Sequence, residues 1–376
     1  ALDAPAMFQT LAATPLGELC TEDPENPGQV LCEMRSQWVR DSIRLGSYAG
    51  DIVRFEAPEE SEAAYRLLVS VRADPSLTFV DVYTDENGNV TCLDCGEGCE
   101  KSGLRDCTSS HRLDPGEGLE SDPFQLRYLE DLGYVMVSHL SRGIVTVVDV
   151  WLDPPAIVDV VTEGITPTST GAAGTYGIVR GPEADATLYV GNAIAPQIAR
   201  YELQQSIYDG IDYMVWTSSA WLQAPNGPME VGAEVRGMAF SADGSRLEVV
   251  VRTPAALLPL DTARDGEGVP SLELLQFTEL AVQPSTLMYS EATGQPLLFV
   301  VSYPEGRLMV VDPATGMLLS QVETGAGPYA MLPLPPAVEE GFITVNFGEG
   351  TMALFQQQDG RFVRVGRVGT PELIGQ

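Results

Sequence analysis

The chain has almost no histidine, one lysine and no long apolar run. Its two histidines, His111 and His139, exclude a multi-histidine metal or proton-relay site. Lys101 is the single lysine, and 53 acidic residues outweigh 21 basic ones to give a net charge of −32. Such a surface repels phosphate backbones and anionic headgroups, so nucleic acid is not an expected partner. No stretch of 18 apolar residues occurs, so no transmembrane helix is expected. Ala1 to Leu11 hold neither a basic region nor a sustained apolar one, as expected where an export signal has been removed. Cysteine is absent beyond Cys107, and no Cys-x-x-Cys-His is present, which removes covalently attached haem. Helical periodicity is nowhere sustained.

The six cysteines present are Cys20, Cys32, Cys92, Cys95, Cys99 and Cys107. Clustered in acidic, glycine-rich sequence, they point to disulfides formed in an oxidising, extracytoplasmic compartment: periplasm, outer-membrane surface or medium. Cys20 is expected to bond Cys32, and the other four to staple the segment Cys92 to Cys107 internally, in a pairing that spacing leaves open. Four thiolates would also suffice for zinc or an iron–sulfur cluster, but only one Cys-x-x-Cys knuckle exists, and structural zinc sites usually use two.

A repeat organises the remainder. Runs rich in Val, Leu and Tyr recur in pairs: YRLLVSV with LTFVDVY, GYVMVSH with GIVTVVDVW, TLYVGN with QIARYEL, RLEVVVR with ALLPLD, PLLFVVSY with GRLMVVD, and GFITVNF with TMALFQQ. Each is short, β-branched or aromatic, and bounded by turn residues, so each reads as a strand. An apolar stretch ending in a turn precedes each pair, as in GMAFSADG, and a further strand usually follows, as in AIVDVV or RFVRVG. Four antiparallel strands per repeat make a propeller blade. The fold expected is therefore all-β, a single β-propeller with a disulfide-rich loop insert. Six units are visible, and joining QVLCEM and WVRDSIRLG of the head to GTPELIG of the tail would make a seventh, so seven blades are expected, with six as the alternative. Residues 1–49 form an N-terminal segment with the Cys20/Cys32 loop contributing closing strands. Residues 50–376 form the propeller, with the cysteine-rich insert at 92–122 as a cap or docking surface.

GRLMVVDPATGMLLSQVETGAGPYAM and MAFSADGSRLEVVVRTPAALLPLD resemble the repeat of the YVTN (YncE-like) family of β-propellers, with weaker copies from Tyr65 to Asp159. The resemblance implies a propeller in a bacterial periplasm or at a cell surface, and fixes no activity.

Ligand sites on a propeller gather at equivalent hairpin ends. The residue closing the first strand of each hairpin gives the column Val71, His139, Asn192, Arg252, Tyr303 and Phe347, of which His139, Asn192, Arg252 and Tyr303 carry polar chemistry for a ligand. TSSHRLD and VSHLSRG set Ser beside His, but adjacency in sequence is not catalytic geometry. No adjacent cysteine pair or tryptophan-bearing blade repeat suggests a quinone-dependent dehydrogenase. DENGN and DPENPG offer oxygen ligands for calcium, but DENGN reads better as a hairpin turn, so no cofactor is expected and calcium is the one alternative. The leading expectation is a non-catalytic scaffold that binds a protein or glycan at the cell envelope, tethered through the segment before Phe8, with an N-terminal lipid anchor removed from the chain. The alternative is a metal-dependent, lactonase-like hydrolase with its site at the central channel.

Overall fold

The computed structural model describes residues 20–22, 30–32, 41–100, 104–182, 187–205, 212–222, 233–264, 270–290, 296–333, 341–358 and 361–369. The chain is an all-β propeller of six four-stranded antiparallel blades. The first blade is Ala49–Phe55, Tyr65–Val71, Ser76–Thr84 and Val90–Asp94; the second is Pro123–Leu129, Tyr134–His139, Val145–Asp149 and Ala156–Val161. The third is Thr175–Arg180, Thr187–Asn192, Gln197–Gln205 and Asp212–Trp221; the fourth is Ala233–Phe240, Arg246–Thr253, Ala255–Asp261 and Thr278–Glu279. The fifth is Thr286–Ser290, Leu297–Ser302, Arg307–Val311 and Leu318–Glu323; the sixth is Pro328–Pro333, Gly341–Asn346, Thr351–Gln358 and Arg361–Val368. Blades one to three belong to one compact unit and blades five and six, with nearly all of blade four, to the other.

The second strands are buried on both faces, which is why they read as unbroken apolar runs rather than as alternating ones. Every residue of Tyr134–His139 and of Leu297–Ser302 is buried. Neighbouring blades share cores: Val135, Val137 and Val148 pack with Phe55, Leu68 and Phe79 in the first unit, and Phe299, Val301 and Leu308 with Phe342, Phe355 and Phe362 in the second. Phe299 meets Phe342 at 4.7 Å and stands edge-on to Phe362 at 4.9 Å, arrangements that aromatic quadrupoles favour.

The expected seventh blade does not form, because the head strands pair elsewhere. Val30–Cys32 lies parallel to Arg361–Val368 and, with Cys20–Glu22, extends the sixth blade to a six-stranded sheet, covering the edge that blade would otherwise expose. Ile43–Arg44 instead pairs in parallel with Arg105–Asp106 of the cysteine-rich insert. The tail beyond Gly369 lies outside the described residues.

The insert is built into the first blade. Residues 81–84 pair with Val90–Asp94, while Leu77 and Thr78 pair with Leu113 and Arg112, so the insert leaves and rejoins a single strand position. Asp41 ties it to the head: its Oδ2 accepts from Leu93 N–H at 2.7 Å and from the Arg105 guanidinium. The disulfides are Cys20–Cys32, Cys92–Cys99 and Cys95–Cys107, leaving no free cysteine. Alkylation without prior reduction should therefore modify no cysteine; an adduct on Cys92 or Cys95 would contradict this pairing.

Candidate functional site

The turns between second and third strands follow one register in five blades. Val71 faces Ser76, Ser302 faces Arg307 and Asn346 faces Thr351, while Ser138–Val145 and Gly191–Ile198 close the equivalent turns one rung further in. The fourth blade turns more tightly, with Arg252 facing Ala255. Structurally equivalent positions are thus Val71, His139, Asn192, Ser302 and Asn346. Tyr303 and Phe347 stand one residue later, and because strand side chains alternate, that step moves them from core to surface. Ser302 and Asn346 are fully buried, whereas Tyr303 and Phe347 are 39% and 45% exposed.

His139 and Asn192 brace their blades. The His139 ring is buried between the Ser121 carbonyl, 2.9 Å from Nδ1, and the Thr146 hydroxyl, 2.9 Å from Nε2. A carbonyl only accepts, so Nδ1 carries the proton and Nε2 accepts from Thr146. Burial pushes the ring's pKa down, which keeps it neutral. Asn192 does the same work in the third blade. Its Nδ2 donates to the Thr166 carbonyl and to Gln197 Oε1, both at 3.1 Å, and its Oδ1 accepts from Ile194 N–H and Ala195 N–H. Asn346, which sequence reasoning passed over, completes the pattern in the sixth blade: Nδ2 donates to the Thr324 carbonyl at 2.9 Å and to Thr351 Oγ1 at 3.1 Å. In all three, the side chain closing the second strand ties the loop entering the blade to the start of the third strand.

In the second unit the same end of the blades presents outward chemistry. Ser285 brings Arg252 and Tyr303 together: its Oγ accepts the Tyr303 backbone N–H at 2.9 Å and lies 3.5 Å from Arg252 Nη2. Gly327 lets the Tyr303 ring approach the sixth blade, since a Cβ there would sit 2.9 Å from Tyr303 Cε2, at a φ of +63° that disfavours side chains. Phe347 stands beside Tyr329, with ring centroids 6.4 Å apart. Glu305, exposed in the Ser302–Arg307 turn, accepts from the Ser302 hydroxyl. Beneath the rim, buried Glu349 accepts Ala326 N–H at 3.0 Å and the Thr351 hydroxyl at 2.5 Å, with Arg367 Nη1 3.5 Å away. This network fixes the turn through Ala326 and Gly327 on which Tyr303 rests. At this end of blades four to six the second unit thus offers the half-buried Arg252 guanidinium and the exposed Tyr303, Glu305 and Phe347 side chains, groups of the kind that can orient a polyhydroxylated ligand and polarise a carbonyl. Ser285 and Glu349 carried no sequence signal beyond their place at blade openings and turns.

Among the described residues, no three His, Cys, Asp or Glu side chains are grouped as metal ligands. Asp85 of DENGN accepts from Asn87 N–H, Asn89 N–H and the Asn89 side-chain amide, as a closed turn does. The DPENPG segment lies outside the described residues. No helix is long and apolar enough to cross a membrane.

No protein-family model matches the chain, and no curated protein matches its sequence. Solved structures do. The periplasmic gluconolactonase PpgL of Pseudomonas aeruginosa is similar with a TM-score of 0.60 at 18% identity, covering 87% of each chain. A Bacteroides fragilis protein described as a candidate 6-phosphogluconolactonase gives 0.58 at 14%, also covering 87% of each. A Lactobacillus plantarum protein without a stated activity gives 0.61 at 14%, covering 94% of this chain and 92% of its own. At these identities the likeness establishes the propeller fold.

Proposed function

We propose that this protein is an extracytoplasmic hydrolase of sugar lactones, acting at the Arg252–Tyr303 rim of the second unit. The observation that carries the reading is that the Ser285 hydroxyl joins the Arg252 guanidinium to the Tyr303 backbone N–H, with Glu305 in the adjoining turn. The named gluconolactonase among the structural likenesses supports the substrate class, and the three disulfides support the compartment.

In this reading Glu305 takes a proton from the water that attacks the lactone carbonyl carbon. The Arg252 guanidinium stabilises the oxyanion, and collapse breaks the ring C–O bond, with the proton passing to the departing ring oxygen. Tyr303 and Phe347 offer apolar faces to the sugar's C–H bonds. The net charge of −32 suits the electrostatics of the reaction: a neutral lactone approaches unopposed, and the aldonate product is repelled. Proton release from an aldonolactone, followed by pH-stat, should exceed the spontaneous rate. Arg252→Ala and Glu305→Gln should each lower kcat/KM about 100-fold or more. No acceleration over buffer, or unchanged kinetics in both variants, would remove the proposal.

Exposed Trp151, Trp216 and Trp221 of the first unit favour a second reading, a non-catalytic module binding a protein or glycan at the envelope. That reading predicts tryptophan quenching by an envelope glycan together with no lactone turnover.

A further inference from the structure

The cysteine-rich insert, which belongs to the first unit, carries a second constellation. Cys95–Cys107 and the hydrogen bond from Thr108 N–H to the Cys95 carbonyl, 3.0 Å, hold the start of the turn Ser109–His111. Gly96 lets that turn come close, since a Cβ there would stand 1.9 Å from Thr108 Oγ1 and 3.0 Å from His111 Nδ1. The His111 ring stacks on Phe79 at 4.7 Å. Its Nε2 faces inward, 3.6 Å from Oδ2 of buried Asp81, and its Nδ1 faces outward, 3.2 Å from Oγ of exposed Ser110. Asp81 Oδ1 is held by Arg66 Nε at 2.7 Å, and Arg66 reaches Asp153 at 3.0 Å.

We propose that Ser110, His111 and Asp81 form a serine hydrolase centre, with Ser110 as nucleophile towards small, solvent-accessible esters. The carboxylate accepts from Nε2–H, which fixes the tautomer that leaves Nδ1 free to take the serine proton; the ring is used in the opposite sense to the better-known serine triads, but either nitrogen serves the chemistry. Burial pushes the Asp81 carboxyl up, yet the nearby His111 ring and the hydrogen bond from Arg66 outweigh it and hold the group below the usual carboxylate range, so it stays ionised. The contact of 3.6 Å is longer than a hydrogen bond, as catalytic contacts often are before substrate binds. Of the two histidines, His139 has both nitrogens engaged within its blade, which leaves His111 as the imidazole able to exchange a proton with a bound substrate.

Ser110 Oγ attacks the acyl carbon as its proton passes to His111 Nδ1, and the alcohol leaves with that proton. Water, deprotonated by the same nitrogen, then attacks the acyl-serine, releasing the carboxylic acid and returning the proton to Ser110. The test is labelling of the disulfide-intact protein with a fluorophosphonate probe, read by intact mass and by the peptide Asp106 to Arg112. One adduct on Ser110 is expected. It should vanish in Ser110→Ala, slow about 100-fold in His111→Gln, and persist in Ser109→Ala and Arg252→Ala. No adduct, an adduct on Ser109, or an equal rate in His111→Gln would overturn the proposal. Lactone hydrolysis should be unchanged in Ser110→Ala, so the two centres fail separately.

Discussion

Between pH 4.5 and pH 8 the protein is expected to lose about 3 kcal/mol of stability through one side chain, Glu248. Glu248 lies in the buried strand Arg246–Thr253 among Val249, Val250 and Val251, all fully inaccessible. Neither of its oxygens has a hydrogen-bond partner among the described residues, and Arg246 Nε stands 3.6 Å away. Burial pushes its carboxyl from 4.5 up to about 7, with Arg246 opposing only in part. A group raised in the folded state holds its proton there after the unfolded chain has released it. Its contribution to stability is therefore complete below pH 4.5 and lost as pH rises through about 7. Glu248→Gln should abolish this slope, and Glu248→Met, similar in volume and without charge, should be the more stable protein at pH 8. Urea midpoints at pH 5 and pH 8 measure both. Asp81, Asp131 and Asp312, held low by their partners, contribute the opposite slope at lower pH in every variant, so the difference curve isolates Glu248. Identical pH dependence in wild type and Glu248→Gln would show that the carboxylate is not buried as described.

Asn346→Ala is expected to cost about 2–4 kcal/mol, while Phe347→Ala, one residue on, should stay within about 0.5 kcal/mol. The asparagine is fully buried, and its removal orphans the Thr324 carbonyl and strips a partner from the Thr344 and Thr351 hydroxyls, 3.1 Å away in both cases. Phe347 lies half in solvent against Tyr329 and holds no such network. Denaturant unfolding of the two variants side by side checks the register of the sixth blade: equal costs, or a larger cost at Phe347, would place the strand one residue out.

That one-residue question marks where the sequence stopped being legible. Blade existence follows from runs such as LLFVVS and TLYVGN, whose burial on both faces leaves no ambiguity about strand character. His139 and Asn192 fall at true hairpin ends because polar residues there interrupt the apolar run. In FVVSYPEG and ITVNFGEG an aromatic residue follows the polar one, so the apolar pattern runs past the real end, and the column slips to Tyr303 and Phe347. The slip had a useful side, since Tyr303 is outward-facing and meets Arg252 at Ser285, a contact between blades that no local pattern encodes. Blade number was misread for a related reason. The head strands carry the composition of closing strands, but whether they pair with the tail, the sixth blade or the insert depends on edges that lie far away in sequence. The Cys20–Cys32 bridge was readable from spacing, whereas the crossed pairing of the other four depends on the insert rejoining the strand it leaves.

The proposed lactone site at the Arg252–Tyr303 rim is tested most directly by a crystal structure of the protein soaked with a lactam analogue of an aldonolactone, an analogue that resists hydrolysis. The account predicts the lactam carbonyl within hydrogen-bond reach of the Arg252 guanidinium and the sugar ring against Tyr303. Density for the lactam elsewhere on the propeller, with this rim unchanged, would contradict it.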